Sequence, residues 1–144
     1  DIITLTATAS ITTADHSGRT LLMGEVGGDA AATFTLPAAT GTGSVFRFVV
    51  SVVNTSNYLI KVADATDTID GQIVITDADG TDAASFVTAA TSDTITLNGT
   101  TTGGGAIGDY VELIDIASNQ YTVSGMVTCA AGSNIATMFS ATVS

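Results

Sequence analysis

Asp15-His16-Ser17 gathers the three residue types of a hydrolase triad into one tripeptide. A nucleophile, its base and the orienting acid must converge in space, whereas neighbours in a turn point apart, and Gly18 directly after them marks a turn. His16 is the sole histidine, so a histidine base has one candidate, and its setting reads as a surface turn. Asp77-Ala78-Asp79-Gly80-Thr81-Asp82 sets acids around a glycine, which can gather hard oxygen ligands for calcium. The twelfth position of that loop is Thr88 instead of a bidentate Glu, and its flanks read as strands. A solvated hairpin turn is therefore the expectation, with a weak Ca²⁺ site on Asp77, Asp79 and Asp82 as the alternative. Asp64, Asp67 and Asp70 recur every three residues, a spacing that holds nothing on one face of β-structure, and they read as loop charges. The 14 acids offer many carboxylate pairs for glycosidase chemistry, and nothing selects one.

Gly103-Gly104-Gly105 with Gly108 superficially suggests a phosphate loop, but no Gly-Lys-Ser/Thr follows, and Asp109 to Leu113 reads as a strand. A flexible β-connection is expected there. Cys129 is the only cysteine, so no disulfide can close within the chain, and it reads as core or interface filling. Tyr58, Tyr110 and Tyr121 could stack a sugar, but their scatter favours packing at the edge of a core. No catalytic residue and no cofactor emerges.

The elements that would position these groups have a period of two. Ile3-Thr4-Leu5-Thr6-Ala7, Thr33-Phe34-Thr35-Leu36, Thr94-Ile95-Thr96-Leu97 and Tyr121-Thr122-Val123-Ser124 alternate apolar with hydroxyl residues, the mark of half-buried strands. Val45 to Val53, which carries Arg47 and Ser51, and Gln72 to Thr76 are short β-rich runs, which predicts central strands buried on both faces. Turn signals such as Gly27-Gly28-Asp29, Asp79-Gly80, Asn98-Gly99 and Ser118-Asn119 separate them at intervals of about 8 to 12 residues. That rhythm predicts one all-β domain over residues 1–144, an antiparallel β-sandwich or jelly roll with little or no helix. Residues 1–17 form an N-terminal arm or edge strand, and Asp82 to Ala90 is the one place for a short helical turn.

Thr, Ala, Gly and Ser fill 74 of 144 positions, while 14 acids against 3 bases leave a net charge of -11. A nucleic-acid binder needs a basic footprint, and an anionic membrane surface repels such a chain, so neither is an expected partner. The longest apolar stretch contains Arg47 and falls far short of the roughly 18 residues of a membrane helix, and no signal-peptide pattern opens the chain. The acids fall mostly in turns, at Asp29, Asp64, Asp67, Asp70, Asp77, Asp79 and Asp82, which predicts an acidic rim around nearly uncharged sheets.

Asp93-Thr94-Ile95-Thr96-Leu97-Asn98-Gly99-Thr100-Thr101-Thr102-Gly103-Gly104, then Gly108-Asp109-Tyr110-Val111-Glu112-Leu113 and Tyr121-Thr122-Val123-Ser124-Gly125, resembles a hairpin pattern of tailed-phage virion proteins. Thr33 to Pro37, Gly41-Thr42-Gly43, Phe46 to Val49 and Ile135 to Ser140 match the same group in order, so the resemblance covers about residues 18 to 140. Tyr121 stands where Trp is common in the group, and Met138 where Pro is. The resemblance implies a structural protein of the capsid decoration (cement) or head-fibre type, placed on the capsid exterior. As a decoration protein it would bind the major capsid protein as a homotrimer, with no enzymatic activity. The strand Ile2 to Ala9 is a candidate contact, and binding carried by apolar and hydroxyl surface would weaken only modestly with salt. The alternatives are a phage fibre-tip or receptor-binding module and a carbohydrate-binding or surface-layer β-domain.

Overall fold

A threonine beside an apolar residue favours extended backbone and sends one side chain inward and one to water; repeated along the chain, this builds two sheets that close on each other. The computed structural model describes residues 1–24, 31–53, 55–132 and 134–143. The strands are β1 (Ile2–Leu5), β2 (Ala9–Ser10), β3 (Thr20–Met23), β4 (Ala32–Thr35), β5 (Val45–Val50), β6 (Tyr58–Lys61), β7 (Thr68–Asp77), β8 (Ala83–Val87), β9 (Thr94–Leu97), β10 (Tyr110–Ala117), β11 (Gln120–Cys129) and β12 (Phe139–Ser140). Seven form one sheet in the order β1-β3-β5-β10-β11-β7-β8, and five form the other in the order β12-β9-β6-β4-β2. The fold is an all-β sandwich, with a single four-residue helix, Thr13–His16, among the described residues.

The pairing is mixed, which corrects the expectation of an antiparallel sandwich. β1·β3, β3·β5, β11·β7, β2·β4 and β4·β6 are parallel, and the other five pairs antiparallel. Parallel neighbours need a crossover, and the chain makes one by passing between sheets: β1 edges the larger sheet, β2 the smaller, and β3 returns to the larger. Residues 1–17 are thus an edge strand in each sheet followed by the short helix, and not a free arm. The Ser118-Asn119 signal is a two-residue loop with Asn119 at φ 64°, which joins β10 to β11 as an antiparallel hairpin. β9, the first strand of the phage-like string, lies in the opposite sheet. Asp82 to Ala90 is mainly strand β8 and not a helical turn; its β-branched and aromatic end, Phe86-Val87, pairs with β7.

The core lies between the sheets. Phe34 on the smaller sheet meets Phe48 on the larger with ring centroids 5.9 Å apart, and Tyr58 stacks on Phe34 at 6.2 Å. Phe46 meets the edge of Tyr121 at 6.4 Å. Ile60, Ile73, Ile75, Ile95, Leu97, Val111 and Leu113 fill the remaining space and are all fully buried. The two short β-rich runs lie in interior strands, β5 and β7, but neither is buried on both faces. The outward positions Arg47, Gln72 and Val74 of those runs meet solvent.

Gly103-Gly104-Gly105 is packed instead of flexible. The loop passes against β9 and β11, and a Cβ on Gly103, whose φ is +110°, would lie 2.5 Å from Val127 Cγ2. Gly103→Ala is therefore expected to lose about 2 kcal/mol or more in chemical denaturation, from overpacking and an unfavourable backbone angle together. A loss below about 0.5 kcal/mol would show that the loop yields freely.

Candidate functional site

Most of the groups that the sequence offered for chemistry are engaged by their own neighbours or buried. Thr12 caps the short helix; its Oγ1 accepts the Asp15 N–H at 3.2 Å and donates to Asp15 Oδ2 at 3.0 Å. His16 Nδ1 lies 3.0 Å from the Thr12 N–H. Both would-be triad partners are thus engaged by Thr12, and Asp15-His16-Ser17 is a helical surface turn. Gly104 N–H donates to Asp109 Oδ2 at 3.1 Å and Gly105 N–H to the Thr128 carbonyl at 2.9 Å, so neither points at an external phosphate.

The Asp77 carboxylate is likewise used within its turn. Oδ1 accepts the Thr81 N–H at 3.0 Å and Oδ2 the Thr81 hydroxyl at 2.9 Å. Burial pushes this carboxyl up, but the Thr81 hydroxyl and the N–H groups of Thr81, Asp82 and Gly80 outweigh it and hold the acid below its ordinary value. Asp77 is buried while Asp79 and Asp82 are exposed, and no cluster of three ligating side chains occurs among the described residues. Cys129 is buried, and desolvation followed by the nearby Asp77 charge raises its thiol pKa, which disfavours the reactive thiolate. The tyrosines form no common platform. Tyr58 is buried with its hydroxyl donating to the Val52 carbonyl at 2.8 Å, and Tyr121 is buried with its hydroxyl on the Pro37 carbonyl at 2.6 Å. Tyr110 alone reaches the surface, under the Arg47 guanidinium 4.6 Å from its ring centre.

The acidic rim is only partly as expected. Asp64, Asp79 and Asp82 are exposed, and Asp29 lies outside the described residues. Asp70 sits within β7 and accepts from Gln120 Nε2 at 2.8 Å. Asp67 is 1% exposed: Oδ2 accepts the Ala39 N–H at 3.0 Å, and Oδ1 is buried with no hydrogen-bond partner among the described residues. Burial, with Asp64 and Asp115 nearby, raises its pKa despite the Ala39 bond. Asp115 shows the opposite balance. It is 2% exposed, but Gly41 and Thr40 N–H and the Thr42 hydroxyl and N–H all donate to it and outweigh burial, holding its pKa low.

What remains for function is the outer face of the larger sheet. The strand registers align Leu22, Val49, Tyr110, Met126 and Val74 as one row across five strands. Met126 is 56% exposed and Val74 37%, and Ile107, 75% exposed, stands over the end of the row. Val74, Met126, Tyr110 and Ile107, with Thr76, Asp109 and Thr128, line a shallow groove of about 370 Å³. Beside it runs a polar row, Thr20, Arg47, Glu112, Ser124 and Gln72, in which Arg47 pairs with Glu112 at 3.8 Å. Val74 lies within the run Gln72 to Thr76 and so looks like core, and Met126 lies beyond the alternating segment Tyr121 to Ser124. The available signal was parity: Met126 shares the outward phase of Thr122 and Ser124.

The fold and this face define a class, a two-sheet β-sandwich whose exposed feature is an apolar surface without a cluster of reactive groups. Comparison with protein-family models, curated proteins and solved structures gives no match.

Two variants test the carboxylates. Asp115→Ala strands three backbone N–H groups and is expected to lose about 2 to 3 kcal/mol in chemical denaturation; a loss under about 1 kcal/mol would mean that water replaces the carboxylate. For Asp67 the folded pKa lies above the ordinary 3.8, so its stabilising contribution is whole below that value and fades as pH rises through the folded pKa. Asp67→Asn removes that loss. Its melting temperature at pH 7 is expected to exceed the parent's, with the gain gone by about pH 3; a lower melting temperature at pH 7 would contradict the assignment.

Proposed function

We propose that this chain is a structural protein of a tailed-phage virion, a decoration protein that binds the outer surface of the major capsid protein and stabilises the head. It acts by binding alone, as a homotrimer on the capsid exterior. The observation that carries the reading is the row Leu22-Val49-Tyr110-Met126-Val74, an apolar surface on a chain of net charge -11. An exposed apolar patch rimmed by polar residues is a docking surface, and this one lies on a rigid sheet. Its neighbours are Thr20, Ser124, Gln72, Thr76 and Thr128 with the paired Arg47 and Glu112, so a partner meets one matched ion pair and no cluster of exposed carboxylates. The resemblance of the β9, β10 and β11 strings to virion proteins supplies the kind of partner, and an acidic exterior suits a protein held away from packaged DNA.

On this reading the capsid contact is the outer face of the larger sheet instead of the strand Ile2 to Ala9. That N-terminal stretch is divided between the two sheets and leaves Ile2 as its one exposed large apolar side chain. Met126→Asp is expected to weaken binding to undecorated capsids at least tenfold while leaving the melting temperature nearly unchanged. Binding of the parent protein should fall less than about threefold between 0.1 and 0.5 M salt, since screening acts on charge and not on apolar contact. A steep loss with salt would assign the contact to the acidic loops. Labelling found only at a tail or fibre tip would favour the receptor-binding alternative.

A further inference from the structure

Strand β8 is the outer edge of the larger sheet and pairs only with β7. The bonds Asp77 N–H to the Asp82 carbonyl and Thr88 N–H to the Gly71 carbonyl set the phase of this antiparallel ladder. With the register Ile75↔Ala84 and Ile73↔Phe86, residues 82, 84, 86 and 88 turn their backbone groups toward β7. Ala83, Ser85 and Val87 therefore aim theirs away from the sheet. Natural edges are blunted by charge, proline, a bulge or brevity. The smaller sheet uses brevity, since its edges β2 and β12 are two residues each. β8 has none of these devices: it is five residues long, carries no charge or proline, keeps an unbroken register, and leaves Val87 71% exposed.

We propose that β8 is a homotypic interface, on which a second copy of this chain adds its own β8 antiparallel about a two-fold axis at Ser85. The edge complements itself. Ser85 meets Ser85, and Ala83 meets Val87, so small faces large on both sides of the axis. Asp82, the acid that flanks the strand, falls opposite Thr88 of the second copy and not opposite its own equivalent, so no like charges meet. The adjoining segment Gln72 to Thr76 is also uncharged, which lets two chains of net charge -11 approach here. A basic peptide would find no acid within the strand, whereas a second β8 satisfies the outward N–H and C=O groups of all three positions. Such a contact is isologous and closes at two copies.

Light scattering at about 50 µM tests the pairing. The parent protein should have an even multiple of the 14.3 kDa chain mass, six chains where the two-fold joins two homotrimers, and Ser85→Lys, which sets charge against charge on the axis, should halve it with the far-UV spectrum unchanged. Ser85→Pro gives a second test, because the N–H it removes points away from β7. Ser85→Cys places thiols on residues about 5.5 Å apart, so mild oxidation should link two chains far faster than in Thr88→Cys. A parent mass of one or three chains overturns the pairing, as does an unchanged mass in folded Ser85→Lys or equal cross-linking of the two cysteine variants. The pairing stands apart from the capsid reading: a three-chain mass leaves the trimer intact and removes the two-fold, and a loss of capsid binding in Met126→Asp leaves the mass unmoved.

Discussion

Aspartate carboxylates that gather backbone N–H groups hold the connections of this sandwich, and the surface follows from them. Asp115, at the end of β10, draws in the N–H groups of Thr40, Gly41 and Thr42 and so closes the segment after β4 onto the larger sheet. Asp109 ties Gly104 and Thr128 together, and Asp93 holds the C-terminal segment through Thr142 and Val143. With one cysteine and three basic residues, neither disulfides nor ion pairs can do this work. A carboxylate accepts several donors at once, and each bond to a charged acceptor is stronger than a neutral one, so one short side chain can organise a whole loop.

This use of acids explains how a chain of net charge -11 keeps most of the outer face of its larger sheet free of unpaired carboxylates. Asp67, Asp77, Asp93, Asp109 and Asp115 are all buried, and the carboxylates left to solvent lie mainly in connections. The sheets between them expose threonine, serine, glutamine and a few apolar side chains. Arg47 is absorbed by Glu112 and Tyr110, so the one basic group on this part of the face is already matched.

The balance differs from one carboxylate to the next. At Asp115 the donors outnumber the losses of burial, and the acid is held ionised. At Asp67 a single N–H on one oxygen does not compensate, and the other oxygen is buried without a partner. The opposite shifts at these two acids reflect burial and the nearby Asp64 and Asp115 charges against one donor at Asp67, and several donors that outweigh burial at Asp115. Burial also raises Asp109 in spite of its donors, but both of its oxygens are bonded, whereas Asp67 Oδ1 has no partner among the described residues.

The alternation of threonine with apolar residues was enough to place β4, β9 and β11 and the inward phase of each, because side chains alternate with a period fixed by the backbone itself. Ser118-Asn119 likewise marked its hairpin, since few residues tolerate the left-handed conformation that Asn119 adopts. Pairing direction was not legible: alternation assigns faces, whereas parallel or antiparallel depends on which sheet the chain enters next. Nor was burial of both faces, because an apolar run looks the same whether or not a second layer covers it, and here the outward positions Val74 and Met126 became surface. The roles of Asp67, Asp77 and Asp115 and the packing of Gly103 were equally hidden, since each depends on a backbone brought close from elsewhere in the chain. The sequence by itself determined an all-β, acid-rich sandwich, because those properties are local and compositional. Only the tertiary structure decided which acids are struts, which apolar residues are exposed and which edge is open, because each is a relation between segments that meet only in the fold.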